Sequence, residues 1–381
     1  MAAVAVLLPK ERTHKLVRLV LVIVLLYLFL VGVKALEGGI GAFGGDLTDR
    51  IFENVSHPLA GLFAGILATV LVQSSSVTTS TIVGLVGSGA LSVDAAVPMI
   101  MGANIGTTVT NTIVSIGHIR QGQEFRRALA GATVHDFFNV LTVAVALPLE
   151  LATGFLSRSA AALTGVLRGQ SAVAGGEVPQ SPIKIAVSYP VDRIEEWTES
   201  LTSGRQGALL LIVGISLVFA ALTFITKNMR AVMAGRIEQS LNSVLDKGAG
   251  LGAMALGMVI TVAVQSSSIT TAILIPMVAA GILSLKNAYP VTLGANIGTT
   301  VTALLASLAA ESPDALTVAL IHTLFNVFGI LVFYPLPVLR GIPVGLATAT
   351  AELAERKKRW VVVYVAGTFI VIPVVGLLAL A

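Results

Sequence analysis

Apolar segments separated by short polar breaks run along almost the whole chain, and their lengths fall into two groups. Some are long enough to cross a bilayer, which takes a helix of about 20 residues. Others, such as residues 59–72, are too short to cross. The long segments are residues 17–35, 98–116, 128–151, 207–225, 291–308, 315–334 and 360–380. This pattern predicts an all-α polytopic membrane protein.

The short segments come in pairs around two serine clusters. Residues 59–72 and 77–85 flank Gln73-Ser74-Ser75-Ser76, and residues 249–264 and 269–280 flank Gln265-Ser266-Ser267-Ser268. Such polar runs break helices, and broken backbone survives in a membrane only where protein or water shelters it. Each pair therefore predicts a re-entrant hairpin of two half-helices.

Each serine cluster belongs to a larger block that occurs twice. Gly102-Ala103-Asn104-Ile105-Gly106-Thr107-Thr108-Val109-Thr110 follows the first cluster, and Gly294-Ala295-Asn296-Ile297-Gly298-Thr299-Thr300-Val301-Thr302 follows the second. Both pairs of motifs are 192 residues apart. For one cluster alone, helix packing is the alternative explanation. Two breaks in matching positions of two halves favour a transporter binding site.

Composition supports the membrane interpretation and excludes other classes. Hydrophobic residues make up 55% of the chain, charged residues 12%, and the mean hydropathy is +0.91. The chain has no cysteine, so neither a disulfide framework nor a cysteine metal site is available. The net charge is +4, but most Lys and Arg lie between apolar segments, where they set orientation in the membrane. We expect a lipid bilayer as partner and no nucleic acid.

The charges of the loops predict an orientation. The basic residues that flank the start of the first apolar segment predict a cytoplasmic N-terminus: Lys10, Arg12, Lys15 and Arg18. We expect the protein in the inner cell membrane. Residues 157–205 carry five basic and five acidic residues and are expected to form an external loop between the halves. The first copy follows an acidic loop and the second a basic one, which is the signature of inverted repeats.

We therefore expect a single membrane transport domain over residues 1–381. Repeat 1 covers residues 55–155 and repeat 2 covers residues 248–336. A transmembrane helix at 207–226 links them, and a C-terminal transmembrane helix covers 358–381. Each repeat is expected to contain a half-helix hairpin and broken helices.

The duplicated motifs carry uncharged groups suited to ions. Half-helix N-termini expose N–H groups with positive partial charge, and serine hydroxyls add donors, so two facing clusters suit a tetrahedral oxyanion. The side-chain oxygens of Gln73, Gln265 and nearby threonines are hard ligands suited to sodium. Arg126 and Arg127 are candidates for charge-assisted contact with the anion. The alternative for both is that they only mark a cytoplasmic loop.

Two of the long apolar segments contain residues that are expensive to place in lipid. His135 recurs as His322, which favours hydrogen bonds between helices. Asp136 does not recur, because Thr323 stands in the second copy. We expect Asp136 to help hold a cation; the alternative is a structural pair with an Arg or His.

The ordered motifs resemble those of type II sodium-dependent phosphate cotransporters. The resemblance covers residues 55–335 and rests on both duplicated motifs and on Glu124-Phe125-Arg126-Arg127-Ala128 running to Val134-His135-Asp136-Phe137-Phe138-Asn139. It implies a symporter that carries inorganic phosphate inward with sodium by alternating access. The external loop is short and free of cysteine, which resembles a bacterial-type member.

The resemblance also implies two sets of site residues. Those of the phosphate site are Ser74, Ser75, Ser76, Ser267, Ser268 and Arg126. Those of the sodium site are Gln265, Ser266, Thr299 and Thr302, to which the residues themselves add Gln73 and Asp136. Sodium is then a co-substrate, and no cofactor is expected.

Two alternatives stay open at this point. One is a sodium-coupled transporter of another small oxyanion, such as arsenate or sulfate. The other is a membrane protein that senses phosphate without transporting it. An enzyme is disfavoured, because no nucleophile, base and orienting residue stand at a meaningful spacing. The oligomeric state is left open.

Overall fold

The computed structural model describes residues 10–42, 57–168, 182–233, 250–310 and 312–380, and this part of the chain is almost entirely helical, without a β-strand. Within it we number the helices α1 (Lys10–Gly41), α2 (Pro58–Val72), α3 (Ser75–Gly87), α4 (Val93–Gly106), α5 (Val109–Ile116), α6 (Gly122–Thr153), α7 (Phe155–Arg168), α8 (Pro182–Trp197), α9 (Ser203–Met233), α10 (Leu251–Val264), α11 (Ser267–Ala279), α12 (Leu285–Ser307), α13 (Pro313–Phe333), α14 (Pro337–Arg356) and α15 (Arg359–Leu380). Helix α15 contains a π-helical turn at Gly367–Val371.

Five of the described helices are long and apolar enough to cross a membrane. They are α1 from His14 onward, α6, α9, α13 and α15, and they contain 21 to 32 residues each. Large apolar side chains such as Ile23, Ile212 and Val362 stay exposed on their outer faces, as contact with lipid requires. The prediction of an all-α polytopic membrane protein is confirmed.

Pairs of short helices lie at both predicted breaks, α2–α3 around Gln73 and α10–α11 around Gln265. Helices α2 and α4 run parallel, because Gly61 faces Pro98 at one end of the contact and Gly106 faces Thr69 at the other. The chain between them must therefore reverse, and α3 is its returning arm. Helices α10 and α12 repeat this arrangement, with Gly257 facing Val291 and Gly298 facing Thr261.

The helix that carries the second motif differs between the copies. We predict one span over 98–116 and one over 291–308. The second segment lies in one continuous helix, α12, which is not among the five spanning candidates, so its crossing stays a prediction. The first prediction is wrong, since α4 ends at Gly106 and α5 begins at Val109. The motif itself cannot explain the break, because its sequence is the same in both copies. The residues that follow it do differ: Asn111 and Thr112 stand where Ala303 and Leu304 stand in copy two.

The segment expected as a loop at 157–205 contains α7 and α8 in its described residues. Helix α7 forms there because Leu156, Ala160 and Thr164 recur every four residues and give it one buried face. That face packs on α13, where Thr164 Oγ1 lies 2.9 Å from Thr317 Oγ1. Residues 169–181 lie outside the described part.

Helices that follow each copy pack on the other copy. Helix α7 follows α6 but packs on α13, while α14 follows α13 but packs on α6. Helices α1 and α9 pack along each other beside the two copies, in backbone contact at Gly32 and Gly214. Helix α9 also contacts α3 and α10, one arm of each hairpin. The inversion of the repeats across the membrane stays a prediction.

Candidate functional site

The two serine clusters line one cavity of about 300 Å³. Ser74, Ser75 and Ser76 enter from the α2–α3 break, and Ser266, Ser267 and Ser268 enter from the α10–α11 break, each preceded by its glutamine. The residues are 192 positions apart along the chain and share one volume. The volume is at the small end of the range for ligand pockets, about 300–1,000 Å³.

A strained backbone residue forms each break. Gln73 has φ 56° and Gln265 has φ 57°, and they are the only non-glycine residues with positive φ in the described part of the chain. Their backbone N–H groups close the preceding helices by donating to Thr69 and Thr261 oxygens, at 2.8 and 2.7 Å. A non-glycine residue held in this region costs on the order of 1–3 kcal/mol and occurs preferentially at functional sites. The strain falls at the same position in both copies.

The serine after each glutamine caps the next half-helix. Ser74 and Ser266 have extended backbones, and their hydroxyls accept from the N–H groups of residues 77 and 269 at 3.3 and 3.4 Å. The hydroxyls of Ser75, Ser267 and Ser268 make no hydrogen bond within the described residues. The N-terminal ends of α3 and α11 thus meet the cavity with positive partial charge and free hydroxyl donors, which suits an anion.

Oxygen atoms suited to a small cation lie at the same wall, where Gln73, Gln265 and Ser76 line the cavity and the threonines bonded to them stand behind. Thr302 Oγ1 donates to Gln265 Oε1 at 2.8 Å and lies 3.4 Å from Ser76 Oγ, which joins copy two to copy one. In copy one, Thr110 Oγ1 donates to Gln73 Oε1 at 3.0 Å. The described residues contain no group of three His, Cys, Asp or Glu side chains that could hold a metal. A cation at this wall would therefore be bound by neutral oxygens.

Two of the predicted sodium residues lie elsewhere. Thr299 is buried in α12, where its hydroxyl donates to the Ala295 carbonyl at 3.1 Å. Asp136 is 1% exposed in α6 and does not line the cavity. Its Oδ2 accepts from Tyr364 at 2.7 Å and from Thr112 at 3.3 Å.

The surroundings of Asp136 exclude one of the two sequence expectations and leave the other untested. Within the described residues it has no ion pair with Arg or His, so the structural alternative does not hold in that form. Its Oδ1 is buried without a partner, which leaves one carboxylate oxygen available to a cation or a proton. Sequence reasoning missed Tyr364, which comes from α15.

Arg126 also lies away from the serines. It stands in the first turns of α6 and forms ion pairs with Glu352 at 3.8 Å and Glu355 at 3.6 Å, both on α14. It does not line the cavity. Arg127 lies beside Gly281, just after α11.

Each of the two duplicated histidines pairs with a residue of the other copy. His135 Nε2 lies 3.1 Å from Asn296 Oδ1, and His322 Nε2 lies 3.3 Å from Asn104 Oδ1. All four side chains are 2% exposed or less. The predicted hydrogen bonds between helices are confirmed, and their partners are the asparagines of the opposite copy.

The part of the cavity wall formed by α9 was not predicted. Helix α9 supplies Phe219, Leu222, Thr223 and Thr226. This helix belongs to neither copy, so the repeat pattern gives no signal for it. Only the spacing of these four residues, which places them on one helical face, could have drawn attention to them.

This arrangement defines the class of protein: a polytopic membrane protein with a polar cavity between two matched sets of broken helices, as in secondary transporters. The chain belongs to the Na+/Pi-cotransporter family, whose model matches residues 28–147 and 217–339. It is 34% identical to sodium-dependent phosphate transport protein 2A of Mus musculus over an alignment of 432 positions, gaps included, which covers 94% of this chain and 67% of the relative.

A second group of relatives is similar at nearly the same level. Sodium-dependent phosphate transport protein 2B of Homo sapiens is 32% identical over an alignment of 443 positions, gaps included, which covers 93% of this chain and 64% of the relative. The chain thus spans about two thirds of the length of these relatives. No solved structure matches this chain significantly.

Proposed function

We propose that the protein is a secondary active symporter that couples sodium entry to the inward transport of inorganic phosphate by alternating access. One observation carries the proposal: two matched half-helix N-termini and their free serine hydroxyls face a single cavity. The names of its relatives, sodium-dependent phosphate transport proteins 2A and 2B, give the substrate and the coupling ion.

Phosphate binds between the serine clusters in this proposal. The hydroxyls of Ser75, Ser267 and Ser268 donate to its oxygens, and the ends of α3 and α11 offset its charge. Arg126 joins this set only in a conformation that breaks its ion pairs with α14. The binding set in the present conformation is therefore uncharged.

Sodium binds to oxygens of the glutamine breaks. Gln265, Ser266 and Thr302 form the principal set, to which Thr299 is adjacent in α12, and Gln73 with Thr110 forms the matching pair in copy one. Asp136 offers a separate cation position through its unpartnered oxygen. The repeats are inverted, the N-terminus is cytoplasmic, and the protein lies in the inner cell membrane.

The test is radiolabelled phosphate uptake into proteoliposomes, with and without an inward sodium gradient, at a clamped membrane potential. We expect uptake that requires sodium and that falls at least about tenfold in S75A and S267A, because a lost hydrogen bond to a charged group costs about 1.5–3 kcal/mol. S159A is the control, since Ser159 is exposed on α7 and lies outside the cavity.

Other outcomes separate the alternatives. Uptake without sodium dependence would remove the coupling ion from the proposal. Competition by arsenate or sulfate that exceeds competition by phosphate would assign another oxyanion. Phosphate binding with no flux under any gradient would assign a sensor.

A further inference from the structure

Helix α9 forms a wall of the cavity although it lies outside both copies of the motif. Its cavity-lining residues are Phe219, Leu222, Thr223 and Thr226. Their spacing, i, i+3, i+4 and i+7, places all four on one face of the helix. The face is mixed: two large apolar side chains and two hydroxyls point at a volume that is otherwise lined mainly by serines and glutamines.

The two threonine hydroxyls are free. Thr223 is exposed and Thr226 half-buried, and neither hydroxyl makes a hydrogen bond within the described part of the chain. Many threonines inside the other helices donate to a carbonyl of the preceding turn, as Thr133 does to Leu129 at 2.8 Å and Thr142 does to Phe138 at 2.7 Å. Thr223 and Thr226 keep their donors available at the cavity.

The opposite walls of the cavity offer the same chemistry. Ser75, Ser267 and Ser268 also have hydroxyls without partners in the described residues, and no lining side chain carries a charge. The two serine clusters approach a bound oxyanion from the side of the hairpins. The acceptor sites on its other side need further donors. A third wall of hydroxyl donors completes its coordination, and Phe219 beside them displaces water from it.

We propose that Thr223 and Thr226 contact the transported oxyanion, so that the helix linking the two repeats is a third element of the substrate site. The proposal rests on the proposed function for the identity of the oxyanion as phosphate. It adds that affinity depends on a helix outside the duplicated machinery. A rigid α1–α9 pair then presents fixed donors to the hairpins.

The test replaces the hydroxyls and keeps the shape. T223V, T226V and the double variant remove the donors with little change of volume, whereas T223S and T226S keep the donors and remove the methyl groups. S216A is the matched control, because Ser216 is exposed on the same helix two turns from Thr223 and outside the cavity. The readouts are the KM for phosphate uptake, the sodium activation curve, and the shift of the thermal midpoint caused by inorganic phosphate.

We expect the double valine variant to raise KM at least about tenfold and to lose most of the phosphate-induced thermal shift, since two hydrogen bonds to a charged ligand are lost. Its midpoint without phosphate and the sodium concentration for half-activation should stay near those of the wild type. The serine variants should stay within about threefold of the wild-type KM. If the double variant does not fold, each single valine variant should raise KM by about half as much on a logarithmic scale.

Two results would overturn the proposal. One is a valine variant with unchanged KM and unchanged thermal shift. The other is a serine variant as impaired as the valine variant, which would make the role one of packing. If the wild-type protein transports no phosphate, the proposed function is rejected, but the contact of the two threonines with an oxyanion is not. The thermal shift that arsenate and sulfate cause in the same variants then decides whether the threonines contact another oxyanion. If the valine variants keep the wild-type shift with every oxyanion, the contact is rejected.

Discussion

Gln73 and Gln265 occupy the same left-handed backbone position in the two copies, yet Gln73 is exposed and Gln265 is buried. Both amide oxygens accept from a threonine 37 residues further on. Only in copy two does that threonine also lie within reach of the other copy, at Ser76. The backbone device is thus the same in both copies, and its surroundings are not.

Local interactions are the same in the two copies, and long-range interactions differ. Capping serines and a closing backbone hydrogen bond recur in both breaks because they depend only on neighbouring residues. The contacts across the cavity differ because the two halves meet other elements unequally. The two halves are therefore matched in local structure and unequal in their surroundings.

The largest expected effect is a loss of stability, and it should be equal in the two copies. G102A and G294A would place a Cβ 2.0 Å from the Leu62 carbonyl oxygen and 1.8 Å from the Met254 carbonyl oxygen. Overpacking costs about 1–3 kcal/mol and more where backbone must move, so we expect loss of folded protein or a much lower thermal midpoint in detergent. G345A is the control, because nothing lies within 4 Å of its added Cβ. Tolerance in one copy alone would show that the two helix pairs are not packed alike.

The next test breaks the symmetry of the glutamines. Asparagine tolerates positive φ, so Q73N and Q265N keep the backbone break and shorten the side chain. We expect Q265N to weaken sodium activation of uptake about tenfold, because it withdraws the Gln265 amide oxygen from the proposed sodium set and breaks its buried hydrogen bond with Thr302, at a cost of about 1–3 kcal/mol. Q73N should change it only a few-fold, since its exposed amide is replaced by water. Equal losses would mean that both glutamines bind sodium in the same way.

Asp136 has no counterpart in copy two, so its replacement tests a role that only copy one has. D136N preserves an acceptor for Tyr364 and Thr112, and we expect the sodium dependence of uptake to weaken several-fold while the thermal midpoint changes little. The companion variant Y364F leaves the charge and removes one donor, and should have a smaller effect on sodium activation. An unchanged sodium dependence in a folded D136N protein would make the carboxylate structural or idle.

The smallest effect is expected where copy one is converted to copy two. Asn111 Oδ1 accepts from Thr271 at 2.8 Å, and the corresponding residue is Ala303. N111A should cost about 0.5–1.5 kcal/mol, the net worth of one hydrogen bond, and lower the thermal midpoint by a few degrees. N228A is the control, because the Asn228 amide bonds only the Phe224 carbonyl of its own helix at an exposed position. Equal midpoints for the two variants would remove the Asn111 contact as a cause of asymmetry.

Much of the architecture could be predicted from sequence because it depends on short-range rules. Chain segments of sufficient apolar length predict the spanning helices, and Gln-Ser-Ser-Ser predicts the breaks, since serine caps a helix through its own hydroxyl. Duplication predicts that the two clusters act together. The helices at 157–205 were missed because that region is polar overall, and its buried face is visible only at a four-residue spacing.

The amino-acid sequence alone predicts the membrane class, the two breaks, the paired motif and the polar residues of the site. Other features appear only in the folded chain: α9 closes the cavity, Tyr364 reaches Asp136, each histidine meets the asparagine of the other copy, and Arg126 is bound by α14. The fold also places one motif at a helix break and its duplicate in a continuous helix. Caps, spans and strained turns arise from residues near in sequence, whereas these side-chain pairs join residues at least 161 positions apart, for which no local pattern exists.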